Sequence, residues 1–435
     1  MSKMRCTRSR AETILVRKGE CQLWEPTLNE HIAATTVPGH LEPNLPDTHY
    51  VDNRIFTDAA IFREEQKNIL ERVWQFVCHE SEVADPGDFR STRVAEKPLV
   101  LVRGADGVLR GFHNVCRHRA AQIVREESGN ARSFTCFYHH WNYALDGSLL
   151  AISKPAGYEA VKLDRACLGL VPVRVEVLAG LVFVCLDQQA EPLREYLGEI
   201  STAFLEPLGT VPLEVFHFHK ALVRTNWKLW QDNNTERYHG LLHATNRKTQ
   251  PWVHGKTSPM KVRIFHNGHS GCWSDGEATV SYERAGFTDI TGDALPGMRD
   301  NEQRIVDIFP DLMINIRSNV VRLDRMVPLE PGLTLIEFRG LGVKGDTEEM
   351  RAMRLRHHNL LWGPAGRNLP EDVMAVESQW RSMQADAVRY SLIAREEDLN
   401  PTDDASLRVY YHEWGRRMGR SPSRGFASTE SAVPR

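Results

Sequence analysis

The chain has 435 residues, 41% of them hydrophobic and 26% charged, with a formal net charge of −3. That length exceeds what one hydrophobic core ordinarily serves, so two domains are expected. The charge balance gives no argument for nucleic acid or an anionic membrane as partner, and the longest apolar run, 177–186, is far too short to span a bilayer.

From the N-terminus, residues 1 to about 50 are rich in Pro, Asn and charge and predict an extended arm. Arg5, Arg8 and Arg10 are not followed by an apolar h-region, so no secretory signal is read. A helix is expected over 59–76, where Phe62, Ile69, Val73 and Phe76 fall near one stripe. From Val83 the pattern changes to short strands and turns, with Asp146-Gly147 as a hairpin signal and 177–186 as a buried strand. Beyond about 190 a helical stretch around 226–243 precedes strands over 262–265, 278–282, 312–323 and 334–343. Helices over about 346–361 and 371–396 follow. The tail from Gly419, with Ser421-Pro422-Ser423 and Ser428-Thr429-Glu430, is expected to be disordered.

Two Cys/His pairs carry most of the chemistry. Cys116-Arg117-His118 and Cys136-Phe137-Tyr138-His139 have the same ligand order, with seventeen residues between them. That order suits a two-iron, two-sulfide cluster in which one iron takes both cysteines and the other both histidines. Neutral imidazoles in place of two thiolates raise the reduction potential. Zinc is the competing ligand, but zinc modules usually pair Cys with Cys and His with His. The remaining cysteines, Cys185 in its apolar run among them, follow no disulfide framework and are read as reduced thiols of a cytoplasmic protein.

The stretch 114–119 followed by 136–143 resembles the cluster motif of Rieske proteins. Two departures stand out: relatives usually have Gly where this chain has Ala120 and His140. Glycine would let backbone approach the cluster closely.

A second constellation lies in 226–243. Asp232, Glu236, His239 and His243 are spaced by four, three and four, within about 60° around a regular helix. Such a stripe is either a metal-binding face or an ordinary solvated face; an electron-transfer cluster in the same chain favours the metal. Two imidazoles and a carboxylate form the facial set that holds non-haem Fe(II).

The arrangement resembles the large catalytic subunit of Rieske non-haem iron ring-hydroxylating oxygenases, over about residues 50–415. The resemblance implies an α+β fold: a small all-β [2Fe-2S] domain and a larger catalytic domain with an antiparallel sheet flanked by helices, of the helix-grip type. It implies an N-terminal arm over 1–58 packing on the catalytic domain, the cluster domain over 59–190, the catalytic iron domain over 191–418 and a tail over 419–435. The cluster would sit on Cys116, His118, Cys136 and His139, and Fe(II) on His239, His243 and Asp372. Relatives commonly have four residues between the iron histidines, where this chain has three, the spacing a regular helix favours; His254 is a weak substitute. From sequence alone, Asn368 and Glu371 would form a capping box; the resemblance instead aligns Asp372 with the iron carboxylate and Asn368 with the substrate pocket. Glu236 matches the acid that bridges the two metal centres between neighbouring subunits.

The implied activity is that of a terminal oxygenase. Electrons from NADH arrive through a separate ferredoxin or reductase, because no nicotinamide or flavin fingerprint is present. They pass from cluster to iron, and O₂ is added to an aromatic ring as a cis-diol; monohydroxylation or demethylation is the alternative outcome. The implied assembly is a trimer, with or without a small β subunit (α3β3 or α3). Arg317, Arg322 and Arg339 lie on predicted strands and could pair with an acidic substituent of the substrate or face solvent. The competing class is a non-catalytic sensor carrying a cluster or zinc.

Overall fold

The computed structural model describes residues 43–250, 260–274, 294–299, 302–396 and 402–424. Two seven-stranded antiparallel sheets organise them. The first runs in the order Gln75–His79, Leu181–Cys185, Pro172–Leu178, Leu109–His113, Lys97–Arg103, Asp88–Val94, Ser128–Asn130. A three-stranded sheet, Phe134–Thr135, Asn142–Tyr143 and Leu149–Ala151, carries one Cys/His pair on its first connection. The second large sheet is ordered Leu213–Val223, Leu333–Val343, Val320–Glu330, Leu312–Arg317, Gln303–Ile308, Ser270–Ser274, Met260–Ile264. Helices Trp227–Thr235, Glu348–Trp362, Leu369–Met383 and Ala405–Met418 pack around it. The α+β expectation is met.

Several local expectations are corrected. The helix over 59–76 stops at Leu70 after a π turn, and Gln75–His79 is a strand paired with Leu181–Cys185. Burial on both faces outweighs the weak helical stripe there. The apolar run 177–186 is not one strand: Ala179 (φ 54°) and Gly180 (φ 78°) form a tight turn between two strands. Positive φ at both central residues is the hairpin geometry that matches strand twist. Residues 312–323 likewise fold back at Ser318 (φ 48°) and Asn319, a turn without a glycine to mark it. The helix over 371–396 ends at Met383, and Tyr390–Leu392 instead pairs with Tyr50–Asp52. The tail is ordered through Arg424: Asp52 N donates to Pro422 O at 2.9 Å, and the Arg424 guanidinium lies 3.7 Å from the Tyr50 ring centre. The strand expected over 278–282 and the Ser428-Thr429-Glu430 segment lie outside the described residues.

The two large sheets are joined by a buried charge lattice. Arg339, with no exposed side-chain surface, donates to Glu82 at 2.7 Å, to Glu337 at 3.1 Å and to Val77 O at 3.1 Å. Arg325 reaches Thr92 Oγ1 at 2.7 Å on the first sheet and Glu337 at 3.3 Å on its own. Arg339 is thus neither solvent-facing nor a substrate contact. Buried charges are tolerable only when paired and hydrogen-bonded.

Burial alone would raise the Glu337 carboxyl, but the guanidiniums of Arg339 and Arg325 outweigh it and hold it down to about 2, against an ordinary 4.5. A depressed folded-state pKa contributes stability above the unfolded value, and that stability fades as pH falls from about 4.5 towards 2. Arg339→Met is expected to cost about 3 kcal/mol of stability at neutral pH. It should also flatten the loss of stability between pH 4.5 and 2; urea unfolding across that window checks both.

Candidate cluster and mononuclear metal sites

The two Cys/His loops repeat one backbone design. Cys116 N donates to Ala121 O and Ala120 N to Cys116 O, at 2.8 and 3.0 Å. Cys136 N donates to Trp141 O and His140 N to Cys136 O, at 2.8 and 2.9 Å. Each loop turns on a residue with positive φ: Ala120 at 58° and His140 at 57°. These are the two positions where glycine was expected, so the reason for glycine there is the left-handed turn as much as close approach. A residue with a Cβ in that region costs about 1 kcal/mol.

The loops bring all four side chains to one place. The His118 and His139 rings lie 4.5 Å apart, and His118 stacks on Trp141 at 4.8 Å. Cys116 and Cys136 are buried in a small core with Phe134, Trp141 and Tyr143. The Tyr143 hydroxyl lies 3.3 Å from Cys116 Sγ and accepts from Arg117 N at 3.0 Å. Burial and the neighbouring Cys116 thiol push the Cys136 thiol up, although nearby amides pull it down. Two buried thiols and an imidazole whose Nδ1 is buried without a hydrogen-bond partner, that of His118, are donors suited to a metal cluster.

The second site is built where the predicted helix fails. Asn226 caps helix Trp227–Thr235 by accepting from Lys228 N at 3.1 Å, and donates to Phe56 O and Pro331 O. Buried Lys228 pairs with Glu65 at 2.7 Å, and Trp227 and Trp414 donate to the same carboxylate. The helix ends at Glu236, whose backbone is extended (φ −81°, ψ 147°). A short 3₁₀ turn, Tyr238–Leu241, follows, and His243 precedes the next helix with extended backbone. The regular-helix stripe is therefore corrected. Asp232 turns away and accepts the Tyr411 hydroxyl at 2.6 Å, and burial raises its carboxyl to about 7.

His239 and His243 nevertheless converge with Asp372: one atom from each lies within 4.8 Å of the others. Asp372 Oδ1 is 3.1 Å from His243 Nε2 and 3.7 Å from His239 Nε2. The opposite ring nitrogens are engaged elsewhere. His239 Nδ1 lies 2.6 Å from Glu236 Oε1, and His243 Nδ1 lies 2.8 Å from Glu371 Oε2. Those carboxylates fix the Nδ1–H tautomer and leave both Nε2 lone pairs aimed at Asp372. Three acceptors so close together repel one another unless a cation lies between them. Burial would raise the Asp372 carboxyl, but His243 and His239, when they carry a second proton in place of a cation, and the Asn233 amide, 3.1 Å away, hold it below the usual range. For His239, burial lowers the imidazole while Glu236 more than compensates and raises it. His254 lies outside the described residues.

Asn368 does not cap its helix as a capping box would require; its amide donates to Asn246 Oδ1 at 3.1 Å. Glu371 is not a capping acid either, being spent on His243. Asn368 lines a cavity that opens on His239, His243 and Asp372. The floor is the second sheet, where cross-strand pairs Gln303↔Arg317, Ile305↔Asn315 and Asn315↔Arg322 set side chains towards it. Glu371 as the holder of His243, and Asn233 and Arg237 at the site, are not apparent from the sequence. For Glu371 and Asn233 the only signal available was proximity to Asp372 and to the helix end.

Comparison with known proteins agrees with the geometry. Residues 73–163 match the Rieske [2Fe-2S] domain family, and 209–418 match the ring hydroxylating alpha subunit catalytic domain. The chain is 39% identical to the 2-aminobenzenesulfonate 2,3-dioxygenase alpha subunit of Alcaligenes sp., over 87% of this chain and 95% of that one. It is 38% identical to the methanesulfonate monooxygenase hydroxylase alpha subunit of Methylosulfonomonas methylovora, over 88% and 94%. The fold is also that of a Rhodococcus naphthalene 1,2-dioxygenase structure with indole bound (TM-score 0.74, 21% identity, 85% of this chain and 94% of that one). The chain belongs to the Rieske ring-hydroxylating oxygenase alpha subunits, enzymes whose cofactors are a [2Fe-2S] cluster and a mononuclear iron. No helix among the described residues is long and apolar enough to cross a membrane.

Glu371→Ala removes the group that orients His243. It is expected to weaken metal binding about 10- to 100-fold, measured by competition with a chelator of known affinity, while the visible signature of the cluster stays unchanged.

Proposed function

We propose that Cys116, His118, Cys136 and His139 hold the cluster, that His239, His243 and Asp372 hold the iron, and that the chain oxygenates a small aromatic ring bearing an acidic substituent. The observation that carries this reading is the pair of imidazoles fixed by Glu236 and Glu371 with both Nε2 atoms turned to Asp372. When bound, the cluster would supply single electrons and the ferrous iron would activate O₂. The chain's own residues set the conditions for that chemistry. Glu236 and Glu371 keep the protons on Nδ1, and Asn233 steadies the Asp372 oxygen. The cavity walls, with Arg237, Arg317, Arg322, Asn315 and Asn368, offer a polar bed for a charged ring substituent. Two relatives named for sulfonates, 2-aminobenzenesulfonate and methanesulfonate, support an anionic substrate. Ring dihydroxylation is the reading preferred; the monooxygenase name of the second relative keeps monohydroxylation as its alternative.

Further parts of the proposal concern organisation. The cluster domain is assigned to 59–190 and the catalytic domain to 191–418, in keeping with one large sheet in each. Assembly is a trimer, alone or with a small β subunit, in which Glu236 bridges His239 to a cluster histidine of the neighbouring subunit. Beside His139 the Phe137 and Tyr138 side chains are 53% and 52% exposed, apolar surface that suits a covered interface. Electrons come from NADH through a ferredoxin or reductase.

Purified protein is expected to hold three irons per chain and to consume O₂ with benzoate or benzenesulfonate as ring substrate when supplied with a ferredoxin and reductase. Zinc alone, or two irons per chain, would defeat the oxygenase reading. Glu236→Gln is expected to keep all three irons and lose at least 10-fold in kcat; unchanged turnover in that variant would remove its relay role.

A further inference from the structure

Three guanidiniums face the cavity, and the structure separates them. Arg237 pairs with buried Asp307 at 3.0 Å. Arg322 pairs with buried Asp324 at 2.8 Å and donates to Asn234 Oδ1 at 3.0 Å. Arg317 has no carboxylate partner among the described residues, although it is only 5% exposed. Its Nε and Nη1 are buried without a hydrogen-bond partner, as are those of Arg237, so the missing carboxylate is what sets Arg317 apart. Its guanidinium carbon lies 5.3 Å from the centre of the Trp362 ring, which also lines the cavity. A cation–π contact of this kind offsets only a small part of the cost of burying a cation.

The surroundings add acceptors rather than anions. Gln303 lies directly opposite Arg317 across the sheet, and its Oε1 is buried and unpartnered, as is Asn315 Oδ1. Arg237 and Arg322 are each neutralised by an aspartate, and Asp372 is turned to the two imidazoles. Arg317 therefore leaves the cavity with one uncompensated positive charge set on the sheet floor. Guanidinium presents its N–H groups as a planar fork that matches a carboxylate or sulfonate edge.

We infer that Arg317, backed by Trp362, is the residue that selects an anionic substrate, binding the carboxylate or sulfonate of the ring. This rests on the proposed oxygenase reading and deepens it: the anion would supply the missing counter-charge, so substrate recognition and relief of a buried charge are one event. A ring lacking the charge leaves Arg317 unpaired and is discriminated against.

The test is anaerobic titration of the iron-loaded protein with benzenesulfonate, benzoate and neutral benzamide, followed by calorimetry. Wild type is expected to bind either or both anions at least 100-fold more tightly than benzamide, and the tighter of the two anions names the head group. Arg317→Gln should lose that factor for the anions and change benzamide binding less than threefold, with Arg317→Lys recovering part of the loss. Retained anion preference in Arg317→Gln, or equal losses for all three ligands, would overturn the assignment. Wild type that oxidises neutral arenes and ignores the anions would also overturn it while leaving the oxygenase reading intact. Arg317-dependent anion binding without any O₂-coupled ring oxidation would sink the oxygenase reading instead.

Discussion

Everything at the mononuclear site depends on two carboxylates that never point at its centre. Glu236 and Glu371 each take the Nδ1 side of an imidazole, and that choice leaves both Nε2 atoms as acceptors facing Asp372. Without those partners a histidine ring could flip or carry its proton on the wrong nitrogen, and no trio of acceptors would form. The acids come from different segments. Glu236 sits at the end of helix Trp227–Thr235 and Glu371 in the first turn of helix Leu369–Met383. The site is thus only as rigid as the packing of those two helices on each other and on the sheet. Lys228, Glu65, Trp227 and Trp414 supply a buried clamp at the base of the first helix.

Charge burial is the recurring device of this fold, used for two purposes. Between the sheets, Arg339 and Arg325 are met by Glu82 and Glu337, with buried Arg90 also on Glu82 at 2.8 Å, and these paired charges join the cluster-bearing layer to the catalytic one. In the cavity, Arg237 and Arg322 are cancelled in the same way, and Arg317 is not. The difference is what separates a structural cation from one available to a ligand. A bare aromatic hydrocarbon would gain nothing from such a floor, whereas an acid or sulfonate would.

The cluster loops show a related economy. Two turns with matching hydrogen bonds place two thiols and two imidazoles together, and each turn requires one residue in the left-handed region. This chain fills those positions with Ala120 and His140. The side-chain geometry is kept at a small conformational cost, because the turn is fixed by the backbone hydrogen bonds on either side.

Candidate donors were legible in the primary sequence because donor chemistry is written in residue types. Cys116, His118, Cys136 and His139 could be singled out by order alone. The stripe holding His239 and His243 read equally as a solvated face until the cluster motif and the family resemblance favoured a metal, and the same resemblance implied the α+β class. The geometry that joins them was not legible. A regular helix through 226–243 predicted Asp232 on the metal face, yet the chain breaks at Glu236, where the side chain and an extended backbone capture His239. Turns at Ala179-Gly180 and Ser318-Asn319 hid inside apolar runs, since a buried strand and a buried hairpin share one composition. Which of Arg317, Arg322 and Arg339 carries an unpaired charge depended on aspartates and glutamates that only strand register and sheet packing bring within reach. Local sequence specifies which atoms can bind a metal or an anion; long-range pairing decides which of them are already spent.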